Sequence, residues 1–465
     1  MGRKEQAEFE ELKELLAQFE QANSNKEIIN FTEEEFEEII HYYLRTNEAQ
    51  FALDASEMAL RIFPYSSEFC LTKADAHIEL GELEEAENYL TTNFKIDKSD
   101  VDYYIILSEI YVLRSEYAQA IAICQEGIDS CQDGLDLLYL HQAEIYDFQG
   151  EYKEMIPLLE ASLRMNANSE DALYLYSITM SILDRVHDKI EFYKELIEDD
   201  PFNEDAWYYL GMAYREIGLH EKAIESLEYI EAIDEETNVL SDMAQIFYDA
   251  KEYNKSIDCL KELEKKSDLE LIDFLTFGYC YKELGDIHKA KTYFKEALSF
   301  DEMNDEVYYE LSLLFYEEHK YEAALPLINK ALEKNEELAQ YLELKADILL
   351  GLERVEEACQ LYINIVHQNN ATPYYLSKFA YITALRYGLD EAIAILDKGL
   401  VDYHHPTIHY YKSILYFIFH KEDDAFQEFG YGLEKDFASH QLVFEKLPEL
   451  RHHEKLNMMI SLYED

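Results

Sequence analysis

The sequence contains little of the material that interrupts helices. Its 465 residues include only 14 Gly and 7 Pro, which leaves few residues for the turns of a sheet or for long irregular loops. Hydrophobic residues make up 48% of the chain, and this is enough to build a core. The composition therefore predicts an all-α protein.

Basic residues are scarce as well. The chain has 40 Lys and Arg against 98 Asp and Glu, which gives a formal net charge of −58. A surface this acidic repels the phosphates of nucleic acids and anionic lipids, and it attracts basic proteins. We therefore expect neither a nucleic acid nor a membrane as partner.

Signals for export, membrane insertion and disulfide formation are also missing. The N-terminal sequence MGRKEQAEFEELKELL lacks the apolar segment of a signal peptide. No apolar run approaches the roughly 18 residues that a membrane-spanning helix needs. The six Cys form no CxxC motif, so we expect reduced thiols. These absences predict a cytoplasmic protein.

Pairs of small residues that lie twelve positions apart recur along the chain. Gly211 and Ala223 form one such pair, Gly278 and Ala290 another. The pattern indicates two antiparallel helices in each repeat, whose small residues let the helices approach closely. Together with weaker copies, the pairs define twelve repeats that start at residues 33, 67, 101, 136, 170, 204, 237, 271, 305, 339, 373 and 406.

Six of the seven Pro fall at only three positions of this repeat register. Pro64 and Pro201 lie at position 32, and Pro373 and Pro406 lie at position 1. These positions mark the junction between repeats, where one helix ends and the next begins. The third position is 22, which we expect near the start of the second helix; it is occupied by Pro157 and Pro326.

The repeat resembles that of the tetratricopeptide repeat family. Repeat six carries the residues of the family pattern at Trp207, Leu210, Gly211, Tyr214 and Ala223. The resemblance covers residues 33–438. It implies an α–α superhelix, a solenoid of about twelve helix-turn-helix repeats with capping helices at its ends.

The two ends of the chain are predicted to cover the terminal repeats. Residues 1–32 are predicted to form an N-terminal capping helix, and residues 439–465 to form C-terminal capping helices. Thr32 and Glu35 have the spacing of a capping box where the first repeat begins. The helix before it carries apolar residues along one face, at Phe9, Leu12, Leu15, Leu16 and Phe19.

Motifs of catalysis and cofactor binding are absent from the sequence. It contains no GxxxxGK[ST], GxGxxG or GxSxG motif. The histidines of HHPTIH, at His404, His405 and His409, have no accompanying Cys or patterned carboxylate, so a polar loop is favoured over a metal site. We therefore expect no enzymatic activity, and no metal, cofactor or small-molecule substrate.

By resemblance to the family, positions 2, 5, 9 and 12 of each first helix face a concave groove. In the early repeats these positions are acidic, and the candidate binding residues are Glu37, Asp75, Glu109 and Glu144. In the later repeats they are rich in Tyr, and the candidates are Tyr174, Tyr208, Met212, Arg215, Tyr248, Tyr279, Tyr309, Tyr316, Tyr374, Tyr381 and Tyr410. The alternative is that these Tyr fill gaps between first helices.

These observations lead to two hypotheses of function. The first is a non-enzymatic scaffold that binds a basic segment of a partner protein or peptide in the groove, with Tyr side chains as anchors. It predicts that replacing Tyr208 and Tyr279 by Ala lowers affinity while the fold survives. The alternative is an acidic holding chaperone or assembly factor for basic client proteins. A single stoichiometric partner would favour the scaffold, and a range of basic clients would favour the chaperone.

Overall fold

The computed structural model describes residues 3–25, 29–93, 95–234, 237–367 and 372–463. The side chains of residues 3–11 and 367 lie outside this description. The described residues form 27 α-helices and two 3-10 turns, and no strand occurs among them. The predicted all-α fold of about twelve helix-turn-helix repeats is confirmed.

The chain divides into two compact halves, residues 1–239 and residues 240–465. Within the N-terminal half, consecutive helices pack against each other in antiparallel pairs. Its helices are α1 Arg3–Asn25, α2 Glu33–Arg45, α3 Ala49–Ile62, α4 Ser67–Glu79, α5 Leu83–Thr92, α6 Val101–Leu113, α7 Tyr117–Ser130, α8 Leu135–Gln149, α9 Tyr152–Met165, α10 Glu170–Ile182, α11 Val186–Asp199, α12 Glu204–Glu216 and α13 His220–Ile233.

The C-terminal half repeats the same pairing. Its helices are α14 Leu240–Asp249, α15 Tyr253–Lys266, α16 Leu271–Glu283, α17 Ile287–Ala297, α18 Asp305–Glu317, α19 Tyr321–Lys334, α20 Ala339–Gly351, α21 Val355–His367, α22 Pro373–Tyr387, α23 Leu389–Tyr403, α24 Ile408–Ile418, α25 Glu422–Lys435, α26 Gln441–Lys446 and α27 Glu454–Ser461. Two 3-10 turns, Phe437–His440 and Pro448–His452, flank α26.

Short polar side chains begin many of the first helices. Thr32, Ser66, Ser169 and Asn203 each accept a hydrogen bond from a backbone N–H in the first turn of the helix that follows. Such caps satisfy N–H groups that have no partner inside the helix. Thr32 also forms the predicted capping box, because the Glu35 carboxylate accepts from the Thr32 N–H at 2.7 Å.

The turn after each first helix contains one residue with positive φ, which lies between 55° and 78° in every repeat but the eleventh, where Gly388 has a φ of 116°. A residue with positive φ ends the first helix in every repeat, and it is Gly in five of the twelve turns: Gly81, Gly150, Gly218, Gly285 and Gly388. Elsewhere it carries a side chain, as at Ser115 and Lys251, where φ is 61°. The left-handed conformation costs such residues about 1 to 2 kcal/mol. The repeated geometry of this turn therefore overrides the preference for Gly.

The core lies between the paired helices, at the small residues that define the repeat. Ala74 and Ala86 of repeat two are fully buried, as are Ala223 of repeat six and Ala290 of repeat eight. A methyl group added at Gly211 would lie 3.3 Å from the carbonyl oxygen of Ala223. The twelve-residue spacing thus corresponds to the point where the two helices approach most closely.

The terminal helices cover the ends of the two halves. In α1, Leu15, Leu16 and Phe19 are buried, and the Phe19 ring lies 5.7 Å from that of Tyr43 in α2. The side chain of Phe9, predicted on the same face, lies outside the described residues. At the other end the buried residues of α26 and α27 are Val443, Phe444, Leu456 and Ile460.

Two Pro lie deeper in their helices than expected. Pro157 is the sixth residue of α9, and Pro326 is the sixth residue of α19. Only the first four N–H groups of a helix lack an internal acceptor, so each Pro removes a possible hydrogen bond in the second turn. The expectation that position 22 falls at the helix start is therefore wrong by about one turn.

Candidate functional site

The first helices of successive repeats pack beside one another in several places. In the N-terminal half, α2 contacts α4, α4 contacts α6 and α6 contacts α8. In the C-terminal half the same holds for α14 with α16, α18 with α20 and α22 with α24. Residues at equivalent positions of these helices can therefore form one surface within each half.

The predicted acidic residues of the N-terminal half influence one another. Burial raises the pKa of Asp75 to about 7, and the charges of Glu109, Asp102 and Glu68 raise it further. Burial also raises the pKa of Glu109, where Glu144 adds to the effect. Carboxylates that raise one another's pKa lie close together. The structure thus brings the predicted residues Asp75, Glu109 and Glu144 into one acidic surface, and Glu37 acts on Glu68 at its edge.

A cleft of about 580 Å³ opens between α6, α8 and α10. It contains three of the predicted residues, Glu109, Glu144 and Tyr174. Asp147 and Asp171 add negative charge to its lining, and His141 contacts Glu144 at 3.3 Å. We refer to this feature as the α6–α8–α10 cleft.

Three apolar residues that the sequence analysis did not select are exposed along this surface. Leu113 is 54% exposed, Phe148 69% and Ile182 53%. Leu113 and Phe148 line the cleft. All three occupy position 13 of consecutive repeats, where the repeats on either side have Glu79 and Glu216. A comparison of position 13 across the repeats identifies them, because positions 2, 5, 9 and 12 do not include this site.

Three other candidates lie on α12. Tyr208, Met212 and Arg215 are partly exposed. The Tyr208 ring packs edge-on against that of Tyr209 at 5.6 Å. The side chains of all three residues are therefore accessible in part, and the Tyr208 ring is partly covered by Tyr209.

The Tyr residues of the C-terminal half combine exposure with packing between repeats. The Tyr279 hydroxyl donates to the Glu306 carboxylate at 2.5 Å, and the Tyr309 ring stacks on Tyr341 at 4.9 Å. These contacts join first helices of neighbouring repeats, as the packing alternative expects. Tyr248 packs against Tyr279 at 6.0 Å, Tyr316 packs against Tyr321 at 5.7 Å, and Tyr374 and Tyr381 line a pocket.

Tyr410 does not lie on an accessible surface, and its prediction as a groove residue is wrong. Its side chain is fully buried, packs against Phe429 and donates to the carbonyl oxygen of Asp436 at 2.8 Å. The N–H groups of residues 408, 409 and 410 each bond to the carbonyl three residues earlier. This 3-10 geometry is tighter than an α-helix, and it rotates Tyr410 into the core.

The histidines of HHPTIH are engaged separately. His404 Nδ1 contacts the carbonyl of Leu400 at 3.2 Å, His405 contacts Thr407 at 2.5 Å, and buried His409 contacts Glu428 at 2.7 Å. Among the described residues, no group of three or more His, Cys, Asp and Glu is arranged to hold a metal ion. In the same part of the chain, no helix is long and apolar enough to cross a membrane.

Comparisons of sequence identify the family. Family models described as tetratricopeptide repeat match residues 67–100, 138–169, 192–225, 274–302 and 309–364. The chain is a tetratricopeptide repeat protein. Tetratricopeptide repeats are modules of protein–protein interaction, and this tetratricopeptide repeat protein is accordingly an interaction scaffold. A search of curated proteins finds no significant match.

Solved structures similar to this tetratricopeptide repeat protein are distant. Yeast Tom70 has 14% identity and a TM-score of 0.39, over 92% of this chain and 98% of that one. The APC/C hetero-tetramer Cut9-Hcn1 has 13% identity and a TM-score of 0.34, over 93% and 97%. Pseudomonas aeruginosa pilF has 18% identity and a TM-score of 0.38, over 45% and 96%. Similarity at this level carries no inference about function.

Proposed function

We propose that the scaffold binds a basic segment of a partner protein through the α6–α8–α10 cleft. The observation that supports this most directly is the combination of exposed apolar side chains with several carboxylates in one cleft whose lining contains no Lys or Arg. Leu113, Phe148 and Tyr174 provide apolar contact area, while Glu109 and Glu144 provide negative charge. A segment with apolar side chains among Lys and Arg complements both features.

The ends of the helices contribute to the same electrostatic preference. Leu113 and Ile182 are the last residues of α6 and α10, and Phe148 lies one residue before the end of α8. The C-terminus of a helix carries a partial negative charge from its unpaired carbonyl groups. Basic side chains next to these apolar anchors would therefore meet both carboxylates and helix C-termini.

The partner is to be identified by affinity purification with the full chain, followed by mass spectrometry. The binding site is then tested with Phe148→Ala, which removes the most exposed anchor of the cleft. We expect affinity to fall about tenfold or more, because aromatic anchors dominate such interfaces. The matched control is Phe202→Ala, since Phe202 is 75% exposed but does not line the cleft. Equal affinity of Phe148→Ala and Phe202→Ala would refute the site.

The charge component is tested separately with Glu109→Gln and Glu144→Gln. These variants keep the shape of the side chains and remove their charge. We expect weaker binding and a shallower dependence of affinity on salt concentration, because attraction between exposed charges is screened by salt. An unchanged salt dependence would exclude these carboxylates from recognition.

The earlier test with Tyr208→Ala and Tyr279→Ala is less selective. Tyr279 donates a hydrogen bond to Glu306 and packs against Phe294 at 5.3 Å. Its truncation would disturb contacts between repeats as well as any contact with a partner. Tyr174→Ala is the better probe of the Tyr residues, because Tyr174 lines the cleft and its side chain is exposed.

A holding chaperone for basic clients would use the same acidic and apolar surface. The two functions differ in the number of partners. A scaffold retains one partner in fixed stoichiometry, whereas a holding chaperone retains several basic proteins and releases them on folding. Stoichiometric capture of one protein supports the scaffold proposed here.

A further inference from the structure

An exposed row of apolar side chains runs along α10, the first helix of repeat five. Tyr174 is 59% exposed, Ile178 37% and Ile182 53%. Because these residues are four positions apart, they lie on one face of the helix at successive turns and span about 12 Å. Contiguous exposed apolar surface marks an interaction site far more often than scattered apolar residues do. We refer to this row as the α10 stripe.

The α10 stripe begins inside the α6–α8–α10 cleft. Tyr174 lines the cleft together with Leu113 and Phe148, whereas Ile178 and Ile182 lie beyond its lining. The apolar surface of the cleft is therefore extended along α10 by two turns of helix. A surface of this shape matches an elongated occupant that covers the cleft with one end and the α10 stripe with the rest.

The cleft offers many hydrogen-bond acceptors and almost no donors. The polar side chains of its lining are those of Glu109, His141, Glu144, Asp147, Asp171 and Tyr174. Both ring nitrogens of His141 are engaged, by Ser108 at 2.7 Å and by Glu144 at 3.3 Å. The Tyr174 hydroxyl is thus the one side-chain donor of the lining that remains for an occupant. An extended segment brings a carbonyl group on every residue, whereas an α-helix bonds its own carbonyl groups. The lining therefore favours a helix.

We propose that the cleft and the α10 stripe together bind an amphipathic α-helix of the partner. This proposal rests on the proposed function, because it specifies the conformation of the basic segment. Apolar side chains one turn apart on that helix would pack along Tyr174, Ile178 and Ile182. Lys or Arg side chains at one end would face the carboxylates of the cleft, whose lining contains no Lys or Arg.

The probe is a fluorescein-labelled, Ala-rich peptide of about 16 residues, blocked at both ends, which is long enough to be partly helical on its own. It carries Leu at positions i, i+4, i+7 and i+11, and its Lys residues lie near one end. Its binding to the full chain is measured by fluorescence anisotropy, and its helicity by circular dichroism. This peptide presents one apolar stripe and one basic end, as the proposal requires.

A diastereomer of this peptide tests the conformation. It has D-Ala in place of two central L-Ala, which disrupts the helix and leaves composition and charge unchanged. We expect the D-Ala peptide to bind about tenfold or more weakly, because its Leu side chains no longer form one stripe. Equal affinities of the two diastereomers, or no detectable binding by either, would overturn the proposal.

A sequence isomer tests the apolar stripe. It has the same composition and the same Lys positions, but its Leu residues are distributed around the helix. We expect it to bind more weakly than the parent peptide, because only part of its Leu can face α10. If the isomer binds as well as the parent peptide, the attraction is only electrostatic and the proposal fails.

Ile182→Ala tests the contact along α10, since Ile182 lies outside the cleft lining. We expect the affinity for the parent peptide to fall about threefold or more, because apolar contact area is lost. The matched control is Met165→Ala: Met165 is the last residue of α9, is 56% exposed and does not line the cleft. Equal affinities of Ile182→Ala and Met165→Ala would contradict binding along the α10 stripe.

Phe148→Ala separates this proposal from the proposed function. If both diastereomers bind the wild type equally and both lose affinity in Phe148→Ala, the cleft binds a basic segment without selecting a helix. The helical occupant is then refuted and the proposed function stands. If Phe148→Ala binds the parent peptide as well as Phe202→Ala does, the proposed function fails at its own site, and the helical occupant fails with it.

Discussion

The behaviour of a carboxylate in this chain depends on the other carboxylates around it. Asp75 is partly buried in α4, and its pKa is raised to about 7 by burial and then by Glu109, Asp102 and Glu68. It therefore changes charge near neutral pH, where an isolated Asp would be fully ionised. This property belongs to the arrangement of α4 and α6 and is absent from the local sequence.

Asp75→Asn is expected to change the pH dependence of stability. The folded-state pKa lies above that of the unfolded chain, so ionisation of Asp75 costs stability, and the cost grows as pH rises from about 4 to about 7. With allowance for solvent screening, we expect Asp75→Asn to stabilise the N-terminal half by about 1 to 2 kcal/mol at pH 8. Near pH 4 it should have little effect. Urea unfolding at both pH values measures this, and an equal effect at both would contradict the assignment.

Only some of the residues of the candidate site could be predicted from the sequence. The register identified Glu109, Glu144 and Tyr174, which share one cleft, because residues at equivalent positions of neighbouring repeats lie close together. It did not predict the burial of Tyr410, since the 3-10 turn at residues 408–410 depends on backbone geometry. It also missed Phe148, because the family pattern assigns position 13 no role.

How much space is left at position 8, where the two helices of a repeat meet, depends on the orientation of the side chain that faces it from the second helix. Gly278 of α16 and Gly211 of α12 both occupy position 8. A methyl group at Gly278 would lie 2.5 Å from the Phe294 ring, whereas at Gly211 its nearest neighbour would be 3.3 Å away. Ser413 occupies the same position opposite Phe429. The sequence therefore predicts a small residue here, but it does not show which repeats require Gly.

We expect Gly278→Ala and Gly211→Ala to have opposite effects on stability. Gly278→Ala forces the Phe294 ring to move in a packed core, which costs about 1 to 3 kcal/mol. Gly211→Ala meets milder contacts and gains up to about 1 kcal/mol of helix propensity. Hydrogen exchange of the amides in α16 and α17, and in α12 and α13, measures each effect locally. This is preferable to a single melting curve, because repeat arrays need not unfold in two states.

A compensating variant distinguishes steric conflict from other causes. Combining Gly278→Ala with Phe294→Leu reproduces in repeat eight the small and large pair of Gly211 and Leu227 with one added methyl group. We expect the double variant to lose less protection in α16 than the sum of the two single variants predicts. Strict additivity would show that contact with Phe294 is not the reason for the Gly.

At the scale of the whole chain, charge acts on folding and on binding in opposite directions. The net charge of −58 destabilises the compact state through repulsion between like charges. The same charge would attract the basic segment proposed for the α6–α8–α10 cleft. Of these two consequences, composition led us to predict only the attraction of basic proteins.

Salt should therefore raise the stability of the protein and lower its affinity for a basic partner. Raising ionic strength from about 10 mM to about 150 mM shortens the Debye length from about 30 Å to about 8 Å. Repulsion between exposed carboxylates is then screened, and we expect the temperature of thermal unfolding, measured by circular dichroism, to rise. Attraction between the cleft and a basic segment is screened by the same ions, so the dissociation constant should increase. If affinity instead rises with salt, apolar contacts through Leu113 and Phe148 dominate recognition and the carboxylates contribute little.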